Sequence, residues 1–339
     1  MPSDPTTPWT ILVLGGTGLV GGHCLRHLKA RLSAPGSPSH TVTVRGRPVR
    51  IIATARSQDK ARLLAQQGLA HEYRVLDLDQ PRTFKKVLDG CNAVFFVNGY
   101  TAAMMHQAKW FIDAAAAAGV EHFVHLSADI PKNQFIQHIA WHELIDAYLE
   151  TKLPNKWTLL APGFFTENIV TYNGRKRVEN GVITALGNPN APIQFIACED
   201  IGEVAACCLL DPDAHLGKTH TLLTEVTTIA EAVRTISRVL HTPLTLVPRT
   251  AQQTYDEALQ LDPQDGGRLA YFACIRDLMG VTMAGLEARE KARPQGAPAK
   301  RPPVYPEVIR EICGREPITI ERWAKRNAEW FGDAKGGKL

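Results

Sequence analysis

The stretch that decides the fold reads Thr10-Ile11-Leu12-Val13-Leu14-Gly15-Gly16-Thr17-Gly18-Leu19-Val20-Gly21-Gly22-His23-Cys24-Leu25-Arg26-His27. Its first five residues form a short apolar strand, glycines follow at once, and a helical pattern opens behind them. Gly16, Gly18 and Gly21 fit G-x-G-x-x-G, and Gly15, Gly18 and Gly21 fit G-x-x-G-x-x-G. One glycine serves a tight turn, one lets backbone approach a pyrophosphate, and one lets helix and strand pack closely. The helix then aims its free N–H groups and the positive end of its dipole at phosphate. The expected phosphate cradle is Gly15, Gly16, Thr17, Gly18, Leu19, Val20 and Gly21.

Working outward, the first helix covers about 19–32, and the turn-rich 33–39 leads into strand-like 41–44 and 49–55. These two strands read as a hairpin around 45–48. Strands at 72–76, 93–97, 122–126 and 157–161 then alternate with helices at 80–88, 102–118 and 135–150. That βαβ rhythm predicts a Rossmann-type α/β fold with a doubly wound parallel sheet. Residues 1–163 read as a dinucleotide-binding domain. Residues 164–339 read as a smaller C-terminal substrate-binding region, with segments around 193–225 returning to the main sheet. In this second part helices are expected at 200–210, 229–240, 267–279, 305–312 and 319–331, and strands at 219–223 and 244–247. The charged, proline-rich 289–303 reads as a linker.

Ligands of such sheets lie beyond the carboxyl ends of the strands. This rule selects Asp77 and Leu78, Asn98, Gly99 and Tyr100, Ser127, and Pro162, Gly163, Phe164 and Phe165. At the end of the second sheet strand, where NAD-binding chains often carry an acid, this chain has Ala55-Arg56-Ser57. Arg56 is therefore expected to pair with the 2′-phosphate of NADP(H), assisted by Lys60 or by Arg45 and Arg47.

Composition narrows the partners. The 339 residues carry 38 Lys and Arg against 34 Asp and Glu, a net charge of +4 that does not argue for nucleic acid. A small-molecule substrate fits better, handled by a monomer or homodimer. No apolar run approaches a membrane span, and the first residues show no basic segment followed by an apolar one, so a cytoplasmic protein is expected. Seven scattered cysteines read as reduced thiols, and the pair Cys207-Cys208 as core packing.

The glycine loop, Ala55-Arg56, the strand Val94-Phe95-Phe96-Val97, His125-Leu126-Ser127, and Ala161-Pro162-Gly163-Phe164-Phe165-Thr166-Glu167-Asn168 occur in order over about residues 10–240. Together they resemble the NmrA-like family of atypical short-chain dehydrogenases/reductases. The resemblance implies a Rossmann domain, bound NADP(H) and a small C-terminal substrate region. Some members are implied to reduce carbonyls, imines or alkenes, and others to bind dinucleotide and regulate partners. Where catalytic short-chain dehydrogenases carry Tyr-x-x-x-Lys, this chain has His138-Ile139-Ala140-Trp141-His142. Residues four apart share a helix face, and imidazole titrates near neutrality, so His142 and His138 become candidate proton donors. His142 is also a candidate for holding the cofactor ribose. Ser127 is the expected helper and Tyr100 a second phenol. Trp141, Phe165, Asn168, Tyr172 and Tyr100 are expected to line the substrate pocket. Zinc at His138 and His142 lacks a third ligand at suitable spacing, so no metal is assigned. The leading reading is an NADPH-dependent reductase of a small hydrophobic or aromatic carbonyl or conjugated substrate. The other is a non-catalytic NADP(H)-binding regulator or scaffold.

Overall fold

Strand β1 (Trp9–Val13) is buried along its whole length, and its side chains alternate between two cores. Ile11 and Val13 face a cluster with Val20, Cys24 and Leu25 of helix α1 (Leu19–Leu32). Leu12 and Leu14 face the opposite cluster with Phe96, Phe111 and Ile145. Helices therefore cover both faces of the sheet, as a run of consecutive apolar residues requires. These positions come from a computed structural model, which describes residues 6–33, 42–129, 137–171, 178, 180–186, 188–261, 269, 272–274, 276–277 and 302–331.

The sheet is completed by β3 (Arg47–Ala55), β4 (Glu72–Val75), β5 (Ala93–Phe96), β6 (His122–Leu126), β7 (Trp157–Pro162) and β11 (Lys218–Leu222). The spatial order is β4-β3-β1-β5-β6-β7-β11, with every one of these pairings parallel. Val13 is in register with Ala53 on one side and Phe95 on the other. The winding direction reverses at β1, and in sheets of this topology the ligand crevice lies beyond the carboxyl end of the strand at the reversal. The sequence-predicted hairpin is real: β2 (Thr43–Val44) pairs antiparallel with the start of β3. The helix expected at 80–88 is a 3₁₀ turn at Pro81–Thr83 followed by α3 (Phe84–Leu88). Helices α2 (Gln58–Gln67), α4 (Met104–Ala117) and α5 (Gln137–Lys152) complete the alternation.

Past β7 the chain builds a smaller unit from β8 (Phe164–Phe165), α6 (Asn168–Thr171), β9 (Val182–Leu186) and β10 (Pro192–Ile196). Then come α7 (Cys198–Leu210), α8 (Pro212–His215), β12 (Glu225–Thr228), α9 (Ile229–Leu240), β13 (Thr245–Arg249), α10 (Ala251–Leu261), α11 (Pro306–Cys313) and α12 (Ile320–Arg326). Of the 193–225 region, β11 joins the main sheet and α7 packs against α1, whereas β10 and β12 pair with each other in a separate three-stranded sheet with β8. A third core of Ile183, Phe195, Val233, Ile236, Trp323 and Phe331 holds this unit together. The buried Glu167 carboxylate links its parts, accepting from the Cys198 amide and from Trp323 Nε1, both at 3.0 Å. A carboxylate out of water needs such donors, and burial still raises its pKa. The expected helix at 267–279 is helical where described, while residues 289–301 of the expected linker and Tyr172 lie outside the described residues. No helix among the described residues is long and apolar enough to cross a membrane.

Candidate functional site

The turn after β1 has glycine for two physical reasons. Gly15 sits at φ +64°, in the left-handed region that side chains disfavour. A Cβ on Gly21 would lie 2.4 Å from the Gly15 carbonyl oxygen and 2.5 Å from that of Leu14. The start of α1 is thus pressed against the strand end, and only a bare Cα fits. Gly16 donates to the Thr54 carbonyl at 3.1 Å, which ties the turn to β3. Gly18 is the N-cap, so no side chain satisfies the first-turn amides of α1 and they face the crevice. Leu19, at the first helical position, is 37% exposed, and Val20 is buried in the core below.

The other strand ends open onto the same edge. Arg56 follows β3 and is exposed, immediately before Ser57, which caps α2 by accepting from the Lys60 amide. Lys60 is exposed one turn further on. Neither Arg56 nor Lys60 forms an ion pair among the described residues. Arg45 and Arg47 are corrected: they belong to the hairpin at the amino end of β3, and at about 3.3 Å per residue Arg47 is about 26 Å from Ala55. Arg45 there pairs with Asp213 and Glu121, and buried Arg47 donates to the carbonyls of Thr7 and Pro8 and to Asn92. Neither reaches the crevice. After β4, Asp77 accepts from the Asp79 amide and Leu78 packs on the Phe111 core. After β5, Asn98 donates to the Met104 carbonyl and Gly99 is exposed.

Two polar pairs occupy the end of the crevice nearest α5. The Tyr100 hydroxyl lies 3.2 Å from His142 Nε2, their rings edge to face at 5.9 Å between centroids. Ser127 Oγ, at the end of β6, donates to Asp146 Oδ2 at 2.6 Å. His142 and Asp146 are four residues apart, so α5 presents both on one face. Behind them stands His125, fully buried, its ring 6.3 Å from that of His142. Burial pushes the His125 pKa down to about 3, so it is a neutral wall. Among the described residues neither of its ring nitrogens has a hydrogen-bond partner. Asp146 escaped the sequence reading, although it continues the i, i+4 series His138, His142, Asp146. His138 lies on α5, but its side chain is outside the described residues.

The remaining expected residues sit as follows. Pro162 ends β7. A Cβ on Gly163 would meet the Gln194 carbonyl oxygen and Leu223 at 2.6 Å, so its bareness answers to packing against β10. Phe164 stacks edge-on to Phe195 in the small-unit core, and Phe165 points the other way, to the core below α1. Trp141 packs half-buried against the α4–α5 core, and Asn168 opens α6 and accepts from Thr171.

Strand order, glycine turn and crevice together define a Rossmann-type α/β protein. Residues 7–283 match the model of the NmrA-like family, and the chain belongs to that family. It is 31% identical over 206 residues to an NAD(P)H azoreductase of Xenophilus azovorans, a match covering 60% of this chain and 64% of the azoreductase, so less than two thirds of that relative's length is spanned. Among solved structures, the Citrobacter sp. triphenylmethane reductase complexed with NADP(H) superposes with a TM-score of 0.65 at 20% identity, over 94% of this chain and 99% of that one. NmrA, a negative transcriptional regulator in complex with NADP, superposes with a TM-score of 0.67 at 16% identity, over 98% and 99%.

Proposed function

We propose that the chain is an NADPH-dependent reductase of a small hydrophobic or aromatic substrate bearing a carbonyl or conjugated double bond. The observation that carries this reading is the Tyr100–His142 pair, set beside Ser127–Asp146 at the carboxyl edge of the sheet that bears the glycine turn. The amides of Thr17 to Val20 would hold the pyrophosphate, Arg56 the 2′-phosphate, and the strand ends at Asp77, Leu78, Asn98 and Gly99 the adenosine and ribose. The local geometry fits such a group, because Gly18 leaves the helix amides uncovered. NADPH supplies the hydride when bound. Tyr100 delivers the proton to the substrate oxygen, and the imidazole of His142 stabilises the phenolate and replaces the proton. Ser127, its own proton engaged by Asp146, offers lone pairs for orienting a donor group. Trp141, which packs on the same cluster as Tyr100, is the proposed apolar wall. The reductases among the similar proteins support this class of reaction.

The replacement of both Tyr and Lys of the usual helix motif by His138 and His142 favours a second reading, a dinucleotide-binding regulator without catalysis. One experiment separates the two. NADPH consumption is screened over aromatic ketones, enones, quinones and azo compounds, then repeated with Tyr100→Phe and His142→Gln. A reductase using this pair loses about 10²-fold or more in turnover in both variants while binding NADPH normally. Tight NADPH binding with no consumption over the whole screen selects the regulator.

A further inference from the structure

A second cluster lies on the outer edge of the main sheet, away from the glycine turn. Cys208 is near the carboxyl end of α7, His215 closes α8, and His220 is in the middle of edge strand β11. One ligand atom from each of the three lies within 4.8 Å of the other two. His215 Nδ1 and His220 Nε2 are 3.0 Å apart. We propose that Cys208, His215 and His220 form a site for a zinc-class divalent cation, which clamps α7 and α8 to the edge of the sheet.

The donor set and spacing support this. With Zn–S about 2.3 Å and Zn–N about 2.0 Å, a tetrahedral ion holds its donors about 3.3–3.6 Å apart. The two nitrogens already approach that separation, and the 4.8 Å bound leaves the thiol at most about 1.3 Å to travel. One sulfur with two imidazoles suits zinc rather than the hard cations magnesium or calcium. Cys208 is fully buried and His215 nearly so, while His220 is half-buried, which gives an ion a route in.

The backbone around the cluster is pinned. Thr158 Oγ1 donates to the His215 carbonyl at 2.7 Å, and His122 Nε2 lies 2.8 Å from the same hydroxyl. Because that hydroxyl proton is used on His215, His122 is the donor in the second bond. The Gly217 amide donates to the Trp157 carbonyl at 2.7 Å, fixing the turn between the two histidines. Without metal, the proton between Nδ1 and Nε2 holds the pair together. On binding, it moves to the far nitrogen of its own ring, and Cys208 releases its thiol proton, so one proton leaves per ion. Three protein ligands leave a fourth position for water.

The test is a Co²⁺ titration of the full chain, purified reduced and metal-free. We expect one equivalent bound, a near-ultraviolet thiolate-to-cobalt band, visible bands of four-coordinate intensity, and loss of all of these on adding Zn²⁺. Cys208→Ser should abolish the thiolate band. Cys207→Ser should keep it, because Cys207 turns its thiol to Cys313. His220→Gln, on a half-exposed strand position, should weaken binding by more than the roughly 10–100-fold that an outer-shell partner costs. No stoichiometric binding by the wild-type chain, a thiolate band that survives Cys208→Ser, or wild-type affinity in His220→Gln each overturns the proposal.

Discussion

Replacing Gly21 by alanine tests the glycine turn at its tightest point. The added Cβ would sit 2.4 Å and 2.5 Å from two carbonyl oxygens, where ordinary contact begins at 3.4 Å. The first oxygen belongs to the turn and the second to Leu14 at the end of the strand, so no side-chain rotation relieves the clash. Helix α1 must retreat by 3.4 − 2.4, about 1 Å. Overpacking of this kind costs about 1–3 kcal/mol. The same movement stretches a first-turn N–H···O contact from about 2.9 Å to about 3.9 Å, beyond hydrogen bonding. One bond to a charged group is worth about 1.5–3 kcal/mol, so NADPH affinity should fall about 10- to 150-fold per lost bond. Gly16→Ala is the control. There the Cβ meets the ends of Leu25 and Leu64 at 2.9 and 3.0 Å, flexible groups that can turn aside. Thermal denaturation with NADPH fluorescence titration reads both effects. Wild-type stability and affinity in Gly21→Ala, or a larger loss in Gly16→Ala, would refute the assignment of Gly21 as the close-approach position.

Arg56→Ala should lower NADPH affinity by about 10- to 100-fold and leave NADH affinity unchanged; equal losses for both, in parallel titrations, would remove Arg56 from the 2′-phosphate. Trp323→Phe strips Glu167 of one donor and also shrinks a buried ring, so in urea unfolding it should cost more than the about 1–3 kcal/mol of the lost bond alone; a loss below that range would show the bond idle. Acid should destabilise the fold through His125, whose pKa falls from 6.5 to about 3 on burial. Below pH 6.5 the unfolded chain takes up a proton that the native chain refuses until about pH 3, so stability drops as pH falls through that window. The contribution is about 1.4 kcal/mol per pH unit, about 2 kcal/mol at pH 5, opposed in part by Glu167 and Asp200, whose pKa values burial raises. Unfolding free energies at pH 7 and 5 for wild type and His125→Leu check it: the variant should show the flatter dependence.

The chain's local patterns were enough to read the α/β fold, the parallel sheet, the hairpin before β3 and the glycine turn. Strand burial, helix periodicity and turn chemistry are short-range properties, written within a few residues of where they act. The family could be read for the same reason, since its motifs are contiguous stretches at strand ends. Tertiary structure alone decided what those motifs face. Arg45 and Arg47 carry the charge a phosphate wants, but β3 runs from their end toward the crevice and leaves them at its far edge. Tyr100 and His142 are 42 positions apart, Ser127 and Asp146 are 19 apart, and both pairs exist only because β5, β6 and α5 converge. Cys208, His215 and His220 read as unrelated core and surface residues until β11 folds back beside β7. Such pairings depend on distances across the fold, and spacing along the chain does not encode them.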